Sequence, residues 1–216
     1  MNQNNSGFLG GIPPVTLNLI IINLIFLVVN GLLPTDKFFL TVLDRYLALF
    51  PINSPIGNFM PHQLITYMFM HGGMFHLFFN MFAVFMFGRT LETIWGPKKF
   101  LLYYMLTGIG AGLTQLLVTY LTGSIAPTVG ASGAVFGILV AFGMLFPNSE
   151  LFIIPFPFPI KAKWLVIGYG ALELFNGISN NPDDNVAHFA HLGGLVVGFI
   201  IVFYWKKTGK TYDQRY

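Results

Sequence analysis

The 216-residue chain has no cysteine. Disulfides, thiol nucleophiles, cysteine-ligated zinc and iron–sulfur clusters are therefore excluded, and the redox compartment is left open. Charge is almost as scarce. Asp, Glu, Lys and Arg make up 9% of residues, against roughly 25% in soluble domains. Hydrophobic residues make up 55%. This balance excludes a soluble monomer. It also excludes disorder, whose signature is low hydrophobicity with high charge. The net charge is +3, but the bases sit singly or in pairs between apolar runs. No basic stripe is present to grip phosphates, so nucleic acid is not an expected partner.

What is present is a series of long apolar runs. The charge-free stretches are 1–35, 46–88, 100–149 and 185–205. A helix needs about 20 mostly apolar residues to cross a ~30 Å hydrocarbon core. The first expected span is Val15–Leu33, entered through Pro13-Pro14 and stopped by Pro34. No small-residue cleavage site follows a basic region, so it reads as a retained span rather than a signal peptide. The second is Met74–Ile94, after Gly72-Gly73. The run 100–149 is too long for one span and breaks around Gly123, Pro127 and Gly130, giving Phe100–Leu121 and Ser132–Phe146. Pro147, Pro155, Pro157 and Pro159 mark a loop. Ala162–Ile178 and His188–Trp205 follow. The expected fold class is all-α: a polytopic membrane protein with six transmembrane helices. Its membrane domain covers 15–205, between tails at 1–14 and 206–216, with no internal repeat and no separate soluble domain.

Lysine and arginine counts orient the bundle. With both ends inside, nine basic residues fall in inner segments, and only Lys37 and Arg45 fall in outer ones. Both termini are expected in the cytoplasm, and Arg89 is placed to snorkel to the inner interface. All five histidines (His62, His71, His76, His188 and His191) then lie in the outer half or the outer loops. Ionisable groups at membrane depth are costly and tend to mark function.

The fourth span is short. Fifteen residues reach about 22 Å at 1.5 Å per residue, so its start lies well below the outer surface. The sequence there is Gly130-Ala131-Ser132-Gly133. Taken alone, Ser132 reads as a helix cap. A helix start also presents unpaired backbone N–H groups beside the hydroxyl, as an oxyanion site requires. Gly194 and Gly198 share a face with His191, and Gly133 and Gly137 repeat that spacing in the fourth span. Packing the two small-residue faces together brings His191 toward Ser132, and a serine hydroxyl needs such a base. His76 and Asn80 share a face in the second span and are neutral donors. They suit either an oxyanion or a helix–helix hydrogen bond. His71/His76 and His188/His191 offer four imidazoles, but i, i+5 spacing is poor on a helix and no His-Glu-x-x-His pattern occurs. No metal and no cofactor are expected.

Gly130-Ala131-Ser132-Gly133, Ala190-His191-Leu192-Gly193-Gly194-x3-Gly198 and His76-x3-Asn80, in this order on these helices, resemble the rhomboid intramembrane serine proteases in their compact bacterial form. The resemblance covers Val15 to Trp205. It implies Ser132 as nucleophile and His191 as general base. It implies an oxyanion hole of the Ser132 N–H with His76 and Asn80, and substrates that are transmembrane proteins. Phe136 stands where the family usually carries a tyrosine stacked on the catalytic imidazole. Gly88-x3-Glu92-x3-Gly96 matches a family structural motif. One departure is Met60-Pro61-His62-Gln63, where the first outer loop often holds a Trp-Arg pair, so contacts with lipid are expected to differ. The family uses a dyad, which leaves Glu173 without an assigned task. Asn176 or the first loop is its expected partner, with an influence on substrate gating. His188 is expected at the cavity mouth beside Asp183 and Asp184. The competing readings are a catalytically silent rhomboid-like scaffold that binds membrane helices and, against the lack of inverted repeats, a small-solute transporter. The expected location is a bacterial inner membrane, with the site opening to the outer side.

Overall fold

Prolines and glycines set where the helices begin and end. In a computed structural model, which describes residues 11–38, 40–152, 158–179 and 186–211, six long helices pack as a bundle. The first, α1, is Pro14–Gly31, with proline at its N-terminal turn. The second, α2, runs Met74–Trp95. Its middle, Val84–Gly88, is a π turn, a local widening that interrupts the α-helical hydrogen bonding. Gly96 (φ +76°) breaks the chain before Pro97, and α3 follows as Pro97–Thr122, ending at left-handed Gly123. Then come α4, Ser132–Leu145, α5, Ala162–Ser179, and α6, His188–Lys207.

Four of these (α1, α2, α3 and α6) are long and apolar enough to cross a membrane by length and composition. The fourth has 14 residues, one fewer than expected, because the chain leaves helical form at Phe146. The fifth has 18 residues and carries Lys163 and Glu173 within it. Together they form a polytopic helical membrane bundle. The expected starts at Met74, Ser132, Ala162 and His188 hold, and the other bounds shift by one to three residues. The largest shift is at α3, where Pro97 starts the helix because its fixed φ and missing N–H suit a first turn.

Two features fall outside the six-span plan. The loop after α1 contains a helix at Val42–Leu47, begun by a reciprocal Thr41–Asp44 capping box, and a short turn of helix at Gln63–Thr66. Glu150–Leu151 and Ile160–Lys161 pair as a two-residue antiparallel ribbon between α4 and α5. Pro155 and Pro157 lie outside the described residues.

The interior is packed by close approach, because lipid tails give little hydrophobic drive between helices. Helix α4 is the central element. On one side Gly133 and Gly137 face Ala111 and Thr107 of α3. On the other, Gly194 and Gly198 of α6 press onto the backbone of Gly133 and Gly137. Tyr103 of α3 donates to the Gly137 carbonyl at 2.6 Å. Trp95, Tyr103 and Trp205 meet edge to face or tilted near the other end of α6. Glu92, almost fully buried, accepts from the backbone N–H groups of Val15 and Thr16 at 2.9 and 2.7 Å and from the Thr16 hydroxyl at 2.8 Å. A carboxylate at a helix N-terminus satisfies orphan donors and meets the positive end of the dipole. The Gly88/Glu92/Gly96 motif thus ties α1 to α2.

Candidate active site

Ser132 is the first residue of α4. Ala131 holds the cap position, with no side-chain cap bond. The capping alternative for Ser132 therefore gives way, and its hydroxyl turns to the neighbouring helix. Ser132 Oγ and His191 Nε2 are 2.7 Å apart. The cause is the glycine contact just below. A Cβ on Gly194 would fall 1.9 Å from the Gly133 carbonyl oxygen, so only glycine lets the two backbones come this close. The turn ahead of Ser132 is fixed as well. Gly130 has φ +123°, and its N–H donates to the Tyr67 carbonyl at 2.9 Å.

The His191 ring is held from the side by Phe136, stacked at 4.5 Å between centroids and 11° between planes. The contact needs a π face and no hydroxyl, as expected when phenylalanine replaces tyrosine. An imidazolium over that face is stabilised by the ring quadrupole.

His76 borders the same site. A Cβ on Gly130 would lie 2.7 Å from His76 Nε2 and 3.8 Å from Ser132 Oγ, so Gly130 is the gap between the two side chains. Asn80 is buried. Its amide Nδ2 donates to the His76 carbonyl at 3.1 Å, one of two donors that Nδ2 carries. His71 lies edge-on to His76 at 5.0 Å. Burial, with the nearby His76 charge, lowers the His71 pKa to about 4. His62 is separate from the site: it is exposed, with Nε2 2.7 Å from the Tyr46 carbonyl.

Glu173 reaches the site from α5. Its Oε2 is 2.6 Å from His188 Nδ1 and 2.9 Å from His191 Nδ1. The first contact is a hydrogen bond. The second is a close contact without hydrogen-bond alignment. Among the described residues this carboxylate meets His188 and His191, and not the expected Asn176 or first loop. His188 is 8% exposed, and its Nδ1 is turned onto Glu173. Asp183 and Asp184 lie outside the described residues. The reason lies in Gly177, four residues after Glu173. A Cβ there would meet Phe189 at 3.1 Å and His188 at 3.3 Å. Glycine thus marks the face of α5 that packs on α6, and Glu173 shares that face. Glu173-x3-Gly177 was the sequence signal for this contact.

The fold is that of a multi-pass membrane protein with a part-buried serine–histidine pair at a helix start. A family model for the Rhomboid domain matches residues 58–208, and the chain belongs to the rhomboid family. Rhomboid protein 1, mitochondrial, of Saccharomyces cerevisiae is 32% identical over 156 residues, covering 71% of this chain and 44% of that protein. RHOMBOID-like protein 1 of Arabidopsis thaliana is 32% identical over 142 residues, 65% of this chain and 33% of that protein. YdcA of Bacillus subtilis, which carries a rhomboid protease name, is 32% identical over 154 residues, 70% of either chain. This chain therefore spans less than half the length of the yeast and plant relatives.

Proposed function

We propose that the chain is an intramembrane serine protease that hydrolyses a peptide bond in or near a transmembrane segment of another membrane protein. The 2.7 Å contact of Ser132 Oγ with His191 Nε2 carries this reading. His191 Nε2 takes the hydroxyl proton as Oγ attacks the scissile carbonyl. The resulting oxyanion is met by the Ser132 N–H and by donors from His76 and Asn80. Collapse of the intermediate breaks the C–N bond, and the proton on His191 goes to the leaving amine. Water, deprotonated by the same nitrogen, then hydrolyses the acyl-enzyme. The substrate segment must leave helical form at the cut, since a helix ties up its carbonyls.

Glu173 and Phe136 assist by position. A carboxylate beside Nδ1 favours the tautomer with its proton there, leaving the Nε2 lone pair for serine. The positive-inside count supports both termini in the cytoplasm and a site facing the outer side of a bacterial inner membrane. On this reading 15–205 is the membrane domain and 1–14 and 206–216 are tails.

Fluorophosphonate labelling in detergent tests the assignment. The wild-type protein should label at Ser132, and Ser132→Ala and His191→Ala should lose labelling and proteolysis together. His188→Ala should keep labelling and part of its turnover. An unlabelled but folded wild-type protein would favour a silent scaffold, and a dead His188→Ala beside an active His191→Ala would reverse the base assignment.

A further inference from the structure

Three donors from two helices meet at one point. Among the described residues, Glu173, His188 and His191 are the group whose ligand atoms all lie within 4.8 Å of one another. Two imidazoles and one carboxylate are a common zinc donor set. The two nitrogens crowd one oxygen at 2.6 and 2.9 Å, and only one of those contacts is an aligned hydrogen bond. His191 Nδ1 is buried with no aligned hydrogen bond of its own. We propose that Glu173, His188 and His191 bind a single Zn2+ ion, and that this ion switches the serine off.

The geometry needs a modest adjustment. Donors around a tetrahedral metal at ~2.1 Å lie about 3.4 Å apart, so the carboxylate must withdraw from contacts of 2.6 and 2.9 Å, and the two imidazole nitrogens, within 4.8 Å of each other, must close to that spacing. The carboxylate stands on the helix best able to move, for Ala162 is the only buried residue described in α5.

The effect on chemistry follows from the tautomer. A neutral imidazole has one lone pair and one N–H. Zinc on His191 Nδ1 takes the lone pair there, and the ring proton moves to Nε2. Nε2 then faces Ser132 Oγ as a donor, with no lone pair to accept the hydroxyl proton. No proton is lost from the ring, yet the serine has no base. The switch rests on the reading of His191 as base. The binding of zinc does not.

The test separates the two. Ser132→Ala retains all three donors and cannot turn over, so its titration with ZnCl2 in detergent by calorimetry reports binding alone. One ion per chain is expected. Glu173→Gln and His188→Ala, each introduced beside Ser132→Ala and checked for folding by thermal unfolding, should raise the zinc midpoint at least tenfold. Glu173→Gln conserves shape and decides the matter if His188→Ala does not fold. In the active protein, cleavage and labelling should fall at the binding midpoint and return with EDTA. Unchanged zinc binding in Glu173→Gln would overturn the site and move it to other histidines such as His71 and His76. Binding at the site with undiminished labelling would overturn the switch and count against His191 as base.

Discussion

The tightest glycine contact among the described residues gives the sharpest perturbation. Replacing Gly194 by alanine puts a Cβ 1.9 Å from the Gly133 carbonyl oxygen, 2.7 Å from its carbon and 3.2 Å from its Cα. All three are backbone atoms, so no side chain can swing aside. The helices must separate by about 1 Å before the contact becomes tolerable. Gly133 follows Ser132 directly, and Gly194 lies one turn beyond His191, so the separation passes straight to the reacting pair. Their 2.7 Å contact then stretches beyond hydrogen-bond range. Losing an aligned base costs roughly 10²–10⁴-fold in rate, and a 1 Å misplacement alone can cost about 10². A fall of ~10²–10³ in kcat is expected, about 3–4 kcal/mol of barrier. Overpacking should also lower stability by about 1–3 kcal/mol. Gly168→Ala is the control, since its new Cβ meets nothing within 4 Å. It should keep the wild-type rate. The assay is single-turnover cleavage of a transmembrane reporter in proteoliposomes, beside fluorophosphonate labelling and thermal unfolding. A folded Gly194→Ala protein that labels within about twofold of wild type would refute the idea that this glycine contact sets the Ser132–His191 distance.

His76→Ala and Asn80→Ala should each lower kcat by roughly 10²–10³ with folding much less affected, if each donates to the oxyanion. Loss of activity only in step with loss of folded protein would assign both to helix packing. His71 has a folded pKa of about 4 against ~6.5 when unfolded. The unfolded chain therefore binds the extra proton between those values, and the neutral form's stability is present above about pH 6.5 and lost as pH falls toward 4. His71→Gln cannot take that proton. Its stability deficit relative to wild type, read by thermal unfolding, should shrink by up to about 3 kcal/mol between pH 7 and 4. A deficit that stays constant with pH would refute this account.

The helix plan was legible because it rests on local properties. Long charge-free runs, broken by Gly and Pro, marked five of the helices and the apolar stretch after Pro159 marked α5, all to within a few residues. The approach of α6 to α4 was legible too, since Gly133, Gly137, Gly194 and Gly198 announce the packing by spacing alone. Glu173 was noticed as a carboxylate at membrane depth, but its partners were not identified. Its contacts lie 15 and 18 residues away in sequence, across a segment whose path composition does not dictate. The same limit hid Glu92, recognised as part of a glycine motif. Its partner Thr16 is 76 residues away and has no periodic signature. The π turn at Val84–Gly88 is invisible for another reason: its residues, Val-Phe-Met-Phe-Gly, suit an ordinary helix equally well.

The light seating of α5 has a mechanical consequence. Ile167, Leu172, Phe175 and Ile178 all face outward, 56–69% exposed, so lipid rather than protein bears on most of this helix. The Glu173 carboxylate is its polar attachment to the two histidines of α6. Any sideways lean of α5 that admitted an incoming polypeptide from the bilayer would draw that carboxylate off the imidazoles in the same stroke. On the proposed reading of His191 as base, entry beside α5 and the electrostatic setting of that base are geared together, and an ion bridging the three side chains would act as a latch on both.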